Sequence, residues 1–345
     1  MLKLFYAQLP EFARPTHPVM RYLLLREGRK AGRGARLLRF ILIGGMVGLL
    51  AAISYIVATR FGQGALPRVN PHENLYLALY WGLVILHVLL RLFALNGTVG
   101  GIAAEKQFGT WETLKVTTDG ALLTLRARWS MVFYRLGLLL TIITVARLVF
   151  IGVALFNLVS IQGHYLDNML SGTTPLGQPS LMDSSILSGV LILAMMFTAA
   201  LIAPFTAVAF DAALGTLIGT FTRGRIGGLL GQLFLMLLRV AIVAWALWVG
   251  AAALSLSPFP ELLASLNPSG GASSLMGVLG AFFGIAEGDL GLTALHLPHV
   301  QRMWADYDNG VFIGVAFLGY VLLQALLANL IMAWAGRRAI RAEKG

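Results

Sequence analysis

Six long apolar stretches, joined by short charged connectors, constrain this chain more than any other feature of its sequence. They lie near Leu38–Thr59, Leu75–Leu95, Met131–Asn157, Ser185–Phe210, Gly227–Leu256 and Val311–Ala335. A bilayer core about 30 Å thick takes roughly 20 apolar residues as helix, and a helix satisfies its own backbone polar groups in lipid. Of the 345 residues, 58% are hydrophobic and 12% charged, so a water-soluble globule of this composition would expose too much apolar surface. The expected fold is an all-α integral membrane protein with about six transmembrane helices.

The connectors alternate in charge. One set carries Arg26, Arg29, Lys30, Arg33, Arg36 and Arg39, then Lys106, Lys115, Arg126 and Arg128, then Arg223 and Arg225, then Arg337, Arg338, Arg341 and Lys344; the other carries Arg60, Arg68 and Arg302. The positive-inside rule makes the first set cytoplasmic, and an even number of crossings returns the C-terminus to the same side. The expected location is the cytoplasmic (inner) membrane, multi-pass. The formal net charge of +11 is thus topological. No basic stripe lies on a soluble domain, so nucleic acid is not an expected partner. The opening stretch MLKLFYAQLPEFARPTHP has no continuous apolar region of the kind a cleavable signal needs, so the first span is expected to serve as its own insertion signal.

Three regions flank or interrupt the spans. Residues 1–37 form a cytoplasmic N-terminal segment, in which Val19, Leu23 and Leu24 share one side of a helix beginning at Pro18; it is either an interfacial helix or a basic flank that fixes orientation. The connector at about 257–309 contains the apolar stretch Ser274–Ala286, too short to cross, and is expected to be an external element with a re-entrant or interfacial helix before the last span. Residues 337–345 form a basic cytoplasmic tail behind a transmembrane domain at 38–336.

The chemistry expected of this chain is limited. It has no GxxxxGK[ST], no HExxH and no cysteine, which excludes a P-loop, that zinc motif and thiolate or iron–sulfur ligation; no cofactor or metal site is expected, and the chain is not an enzyme by itself. His87 alone lies well inside a span and reads as a hydrogen-bonded packing residue. Arg147 and Arg239 fall near the middles of the third and fifth spans with no acidic residue evident at their depth. They should face the bundle interior, either lining a translocation path for an anionic cargo or snorkelling and hydrogen-bonding backbone carbonyls. Arg91 reads as a snorkelling residue at a span end, and Asp211 as an end-of-span partner for Arg223 or Arg225. Pro204 is placed to kink the fourth helix. GxxxG spacing at Gly44/Gly48, Gly215/Gly219 and Gly227/Gly231 marks close helix contacts, within the chain or at a dimer interface.

The second cytoplasmic connector is the most informative. Gly109 and Thr110 can open a short helix with Glu112 in its first turn, while Trp111, Leu114 and Val116 are apolar residues in a loop, a pattern suited to docking on another protein. The run Glu105-Lys106-Gln107-Phe108-Gly109-Thr110-Trp111-Glu112-Thr113-Leu114, followed by Thr117, resembles the E-(K/R)-x-x-G-T-x-E-x-L-x-x-T signature of ABC-2 type (type V exporter) permease subunits. The segment from His17-Pro18-Val19 to Arg29 is similar to that family's N-terminal N-P-V-x-x-(K/R)-E-x-R pattern, with His17 in place of Asn. Thr118-Asp119-Gly120-Ala121 departs from the family's T-P-L-S continuation, and Arg128 stands where a Lys often precedes the third span.

The resemblance implies a coupling helix at about 103–118, with Glu105, Gly109, Thr110, Trp111, Glu112 and Leu114 docking on a separate P-loop ATPase that binds ATP-Mg. It also implies a second permease subunit, as homo- or heterodimer in the lipid membrane, the pair forming an export path, for which Arg147 and Arg239 are the candidate lining residues on the grounds of their depth in the spans. Two other classes remain open: a permease-like structural subunit of a larger membrane complex, and a secondary transporter, against which the apparent lack of intramembrane acids counts.

Overall fold

The computed structural model describes residues 10–28, 71–107, 121–160, 184–222, 225–254, 282–293 and 307–344. Within them the chain is helical, with α1 at Pro18–Gly28, α2 at Pro71–Gln107, α3 at Ala121–Arg135, α4 at Gly137–Ser160, α5 at Ser184–Phe221, α6 at Arg225–Leu254 and α7 at Tyr307–Lys344. Residues 282–287 form a short helix, and Leu290–Thr293 a single helical turn. The expected first span and residues 108–118 of the expected coupling helix lie outside the described residues.

Four helical stretches are long and apolar enough to cross a membrane: Leu79–Val99, Leu193–Phe221, Ile226–Trp248 and Gly314–Ile340. Leu122–Arg135 and Gly137–Gly152 together make a fifth if a bent pair counts as one span. The outer faces agree with lipid as the solvent. Ile226, Leu230, Phe234 and Leu237 recur along one side of α6 and are all more than half exposed, as are Leu322, Leu326 and Leu330 on α7. An apolar exterior around polar interior residues is stable in hydrocarbon and not in water. The chain is a multi-pass helical membrane protein.

Helix α5 is the hub, packing most extensively on α7 and α2. Its small residues make this possible. Gly215 and Gly219 face α2 so closely that an added Cβ would lie 2.0 Å from Thr98 Oγ1 and 2.9 Å from Ile102 Cδ1 respectively. This GxxxG pair is therefore an intramolecular helix contact. Gly231 approaches Ile218, whereas Gly227 has open space around it.

Two apolar layers are stacked along the bundle. One joins Tyr80, Leu83, Phe150, Met196, Ala199 and Phe317 to Ile285, Leu290 and Leu292 of the connector segment. The other, toward the opposite ends of the same helices, joins Ile102, Leu125, Ala213, Leu217, Ala328, Met332 and Ala335. Helix α1 docks beside the second layer. Its Val19, Met20 and Leu23 are buried against Ala127 and Met131 of α3, and Tyr134 Oη donates to the Ala13 carbonyl at 2.7 Å. The apolar side expected from sequence thus covers another helix of the chain.

Two expected span limits need correction. The third apolar stretch is not one straight helix from Met131: α3 starts at Ala121, and the chain bends by 56° between Arg135 and Gly137. The helical hydrogen-bond ladder stops with Leu136 N to Val132 O and resumes with Leu140 N to Leu136 O, while the composition stays apolar throughout, so hydropathy, which averages composition and not direction, does not register the break. The fourth helix does not end at Phe210. It runs to Phe221 through Pro204, and Asp211 sits inside its apolar window.

A buried charge network as the candidate functional site

Beside the first apolar layer, among residues of α2, α4, α5, α6 and α7, lies a chain of buried ionisable side chains. Helix α2 contributes His87 and Arg91, which are one turn apart and so share a face; α4 contributes Arg147, α5 Asp211, α6 Arg239 and α7 Tyr320. The remaining members, Glu287 and Asp289, come from the 282–293 segment. Arg91, Arg147, Asp211 and Asp289 are each at most 2% exposed.

Asp211 is the first node. One of its carboxylate oxygens accepts from Arg91 Nε at 2.6 Å, and the other from an Nη of Arg239. Glu287 is the second. It accepts from Arg91 Nη1 at 2.5 Å, from Arg239 Nη1 at 3.0 Å and from the Tyr320 hydroxyl. Two guanidiniums and two carboxylates, from four different parts of the chain, thus face one another. Arg239 also lies over the Phe210 ring at 5.6 Å.

Asp289 anchors a second group. Its Oδ2 accepts from Arg147 Nη2 at 2.6 Å and lies 2.6 Å from His87 Nδ1, while Arg147 Nη2 lies 2.7 Å from that same ring nitrogen. Both histidine contacts cannot be hydrogen bonds at once. With a proton on Nδ1 the ring donates to Asp289; without one it accepts from Arg147. Arg147 Nη1 is fixed separately by the Ala200 carbonyl at 2.7 Å. His87 Nε2, Arg147 Nε and Asp289 Oδ1 are buried without a hydrogen-bond partner among the described residues.

The segment's local structure explains how two acids reach this depth. The helix at 282–287 breaks at Gly288, Asp289 takes a left-handed φ of 53°, and a new turn starts at Leu290. Gly288 donates its amide to the Gly284 carbonyl at 3.1 Å and accepts from Tyr80 Oη at 3.0 Å. A Cβ on Gly288 would lie 2.8 Å from Leu247 Cδ2, and one on Gly291 2.6 Å from Phe317 Cδ1. Glycine is needed at both because helices pack directly on the turn.

These contacts correct four readings of the sequence. Arg147 and Arg239 do have acids at their depth: Asp211, Glu287 and Asp289, the last two supplied by a connector and not by a spanning helix. Arg91 is not snorkelling; it is 1% exposed and doubly paired. Asp211 pairs with Arg91 and Arg239 inside the bundle. The absence of intramembrane acids that counted against a secondary transporter does not hold. His87 is hydrogen-bonded as expected, within an ionic cluster. Of the expected docking residues, Glu105 lies in the last turns of α2, whereas Gly109, Thr110, Trp111, Glu112 and Leu114 lie outside the described residues.

Within the network three arginines face three carboxylates, so it is formally neutral with His87 uncharged. An unpaired charge here would cost several kcal/mol, and breaking one buried pair typically costs about 3–5 kcal/mol. Fold and site together define a multi-pass helical membrane protein with a charge-compensated polar centre. Comparison with family models, with curated proteins and with solved structures finds no match for this chain.

Proposed function

We propose that the chain is the membrane-spanning permease subunit of an ABC exporter, which transmits motion from a separate P-loop ATPase and performs no chemistry itself. In this reading there are six crossings with both termini cytoplasmic, and the connector holding residues 282–293 dips into the bundle from outside as a re-entrant element. A second permease subunit completes the path.

The observation that carries the reading is the construction of one end of the bundle. Helix α2 continues eight residues past Val99 to Gln107, about 12 Å at 1.5 Å per residue, and leads directly into the Phe108–Thr117 part of the signature. Ile102 of that extension packs with Leu125 of α3, and α1 docks on the next turns of α3. The described parts of the two stretches that resemble ABC-2 permeases, residues 105–107 at the end of α2 and Pro18–Gly28 in α1, therefore lie on the α3 side of the same end, and in this reading a cytoplasmic ATPase binds there.

The test is purification from the native membrane in mild detergent, with mass spectrometry of the partners and an ATPase assay. A stoichiometric P-loop ATPase that is lost on Trp111→Ala or Glu112→Arg supports the reading. Copurification of other membrane subunits in its place supports a structural role in a larger complex.

One observation favours a second reading, a proton-coupled secondary transporter. His87 and Asp289 form a buried pair beside Arg147, and a change in the proton on His87 Nδ1 would exchange one hydrogen bond for another. Uptake or efflux driven by an imposed pH gradient in proteoliposomes, with no ATPase added, would establish it.

A further inference from the structure

The geometry points to the 282–293 segment as a withdrawable internal counter-anion, seated in a site that binds a doubly charged phosphomonoester headgroup when the segment leaves. This inference rests on the reading of Arg147 and Arg239 as lining a path, and it names the chemistry of what passes.

The first support is where the charges are carried. All three arginines of the network are on long helices, whereas two of the three carboxylates are on a connector. Removing the segment leaves Asp211 alone against three guanidiniums, and so two uncompensated positive charges in the bundle. Such a state is prohibitive in a low-dielectric interior unless an anion of about two charges takes the place of Glu287 and Asp289. Withdrawal and anion entry are therefore one event.

The second support is that the seat would keep its shape. Arg91 is held through Nε by Asp211, Arg239 through one Nη by Asp211, and Arg147 through Nη1 by the Ala200 carbonyl. None of these contacts involves the segment. The N–H groups now directed at Glu287 and Asp289, together with the Tyr320 hydroxyl, would remain convergent on an incoming oxyanion. Arg147 Nε, buried and unpartnered among the described residues, is a further donor not satisfied by the seated segment.

The third support is the lining. Phe317, Phe150 and Leu83 belong to the apolar layer next to the charges. A free inorganic anion has no use for that surface, whereas a lipid carrying a terminal phosphate places its charge on the arginines and its hydrocarbon against the layer. Phosphatidic acid is the probe, with inorganic phosphate as the soluble source of the same group.

The chain contains no cysteine, so Ala286→Cys introduces a lone thiol at a position that is 4% exposed while the segment is seated. Labelling by a water-soluble methanethiosulfonate should be slow in phosphatidylcholine nanodiscs and about tenfold faster when phosphatidic acid is included. Backbone hydrogen exchange across 282–293 in the unsubstituted chain should accelerate in parallel, which guards against an effect of the substitution. Acceleration by phosphatidic acid alone assigns a lipid-borne phosphate; acceleration by inorganic phosphate as well assigns the group itself. If neither reagent changes labelling or exchange, the counter-anion mechanism is wrong. Because no ATPase is present in these samples, that failure leaves the permease reading to its own copurification test.

Discussion

Asp211→Asn is the substitution that most directly tests the charge network. The side chain changes little in size, but one carboxylate that answers two guanidiniums becomes an amide with a single acceptor oxygen. That oxygen can keep the Arg91 Nε bond at 2.6 Å or the Arg239 bond, and the amide NH2 then turns a donor toward the other arginine's donors. One charge-assisted hydrogen bond, worth about 1.5–3 kcal/mol, is lost, and two guanidiniums share the single charge of Glu287. Because the site is buried, the expected cost lies at the level of a broken buried ion pair, about 3–5 kcal/mol. Reversible unfolding in mixed micelles gives the value, and a cycle with Arg91→Gln isolates the pair: the double variant should cost less than the two single costs added, by roughly 1–3 kcal/mol. Gln232→Ala, which removes an exposed hydrogen bond to Asn96 at 2.7 Å, is the control and should cost no more than about 0.5 kcal/mol. An Asp211→Asn cost below about 1 kcal/mol, or strict additivity with Arg91→Gln, would refute the reasoning, since neither is compatible with a dry, doubly paired carboxylate.

Two further outcomes follow from packing. Gly215→Ala should destabilise the bundle by about 1–3 kcal/mol, because the new methyl meets the Leu95 carbonyl at 3.0 Å as well as the Thr98 hydroxyl, whereas Gly227→Ala, with open space around it, should be neutral or slightly stabilising through helix propensity; the same micelle unfolding assay separates them. Met20→Asp places a carboxylate where α1 is fully buried against α3, and limited proteolysis should then cut within α1 at a rate at least several-fold above that of the unsubstituted chain.

Hydropathy located the long helices because their signal is additive: some 20 apolar residues in sequence outweigh any single exception. The same averaging hid what matters for the site. Asp211 reads as the end of a span only if a lone acid is a boundary; the sequence after it, Ala-Ala-Leu-Gly-Thr-Leu-Ile-Gly, continues apolar, which is the signature of a buried acid within a longer helix. Glu287 and Asp289 lie in a stretch too short to cross, so their depth has no hydropathic signature. A parity argument would have found them. Arg91, Arg147 and Arg239 all fall inside apolar runs, each requires a counterion, and acids flanked by apolar residues and glycines, as in Gly284-Ile285-Ala286-Glu287-Gly288-Asp289-Leu290-Gly291, are the natural candidates. The bend after Arg135 is not legible in the sequence, since it interrupts the backbone ladder without changing the apolar composition.

The placement of the acids bears on how such a bundle can change state. Had all three carboxylates been on spanning helices, each pair would join two long helices, and separating them would require moving whole helices through lipid. Asp211 is the one acid of that kind, tying α5 to α2 and α6. Glu287 and Asp289 instead join α2, α6, α7 and α4 to a single short segment broken at Gly288 and Asp289. A displacement of that segment alone alters the charge balance at four helices together. If the segment withdraws as proposed, the energy scale favours two states over a graded series: a partial withdrawal would break pairs at about 3–5 kcal/mol each before any new partner is reached, which would leave intermediate positions sparsely populated. Under either proposed reading, an ATPase at the α2–α3 connector or a proton on His87 would act on an element whose withdrawal changes the formal charge in the centre of the bundle by two.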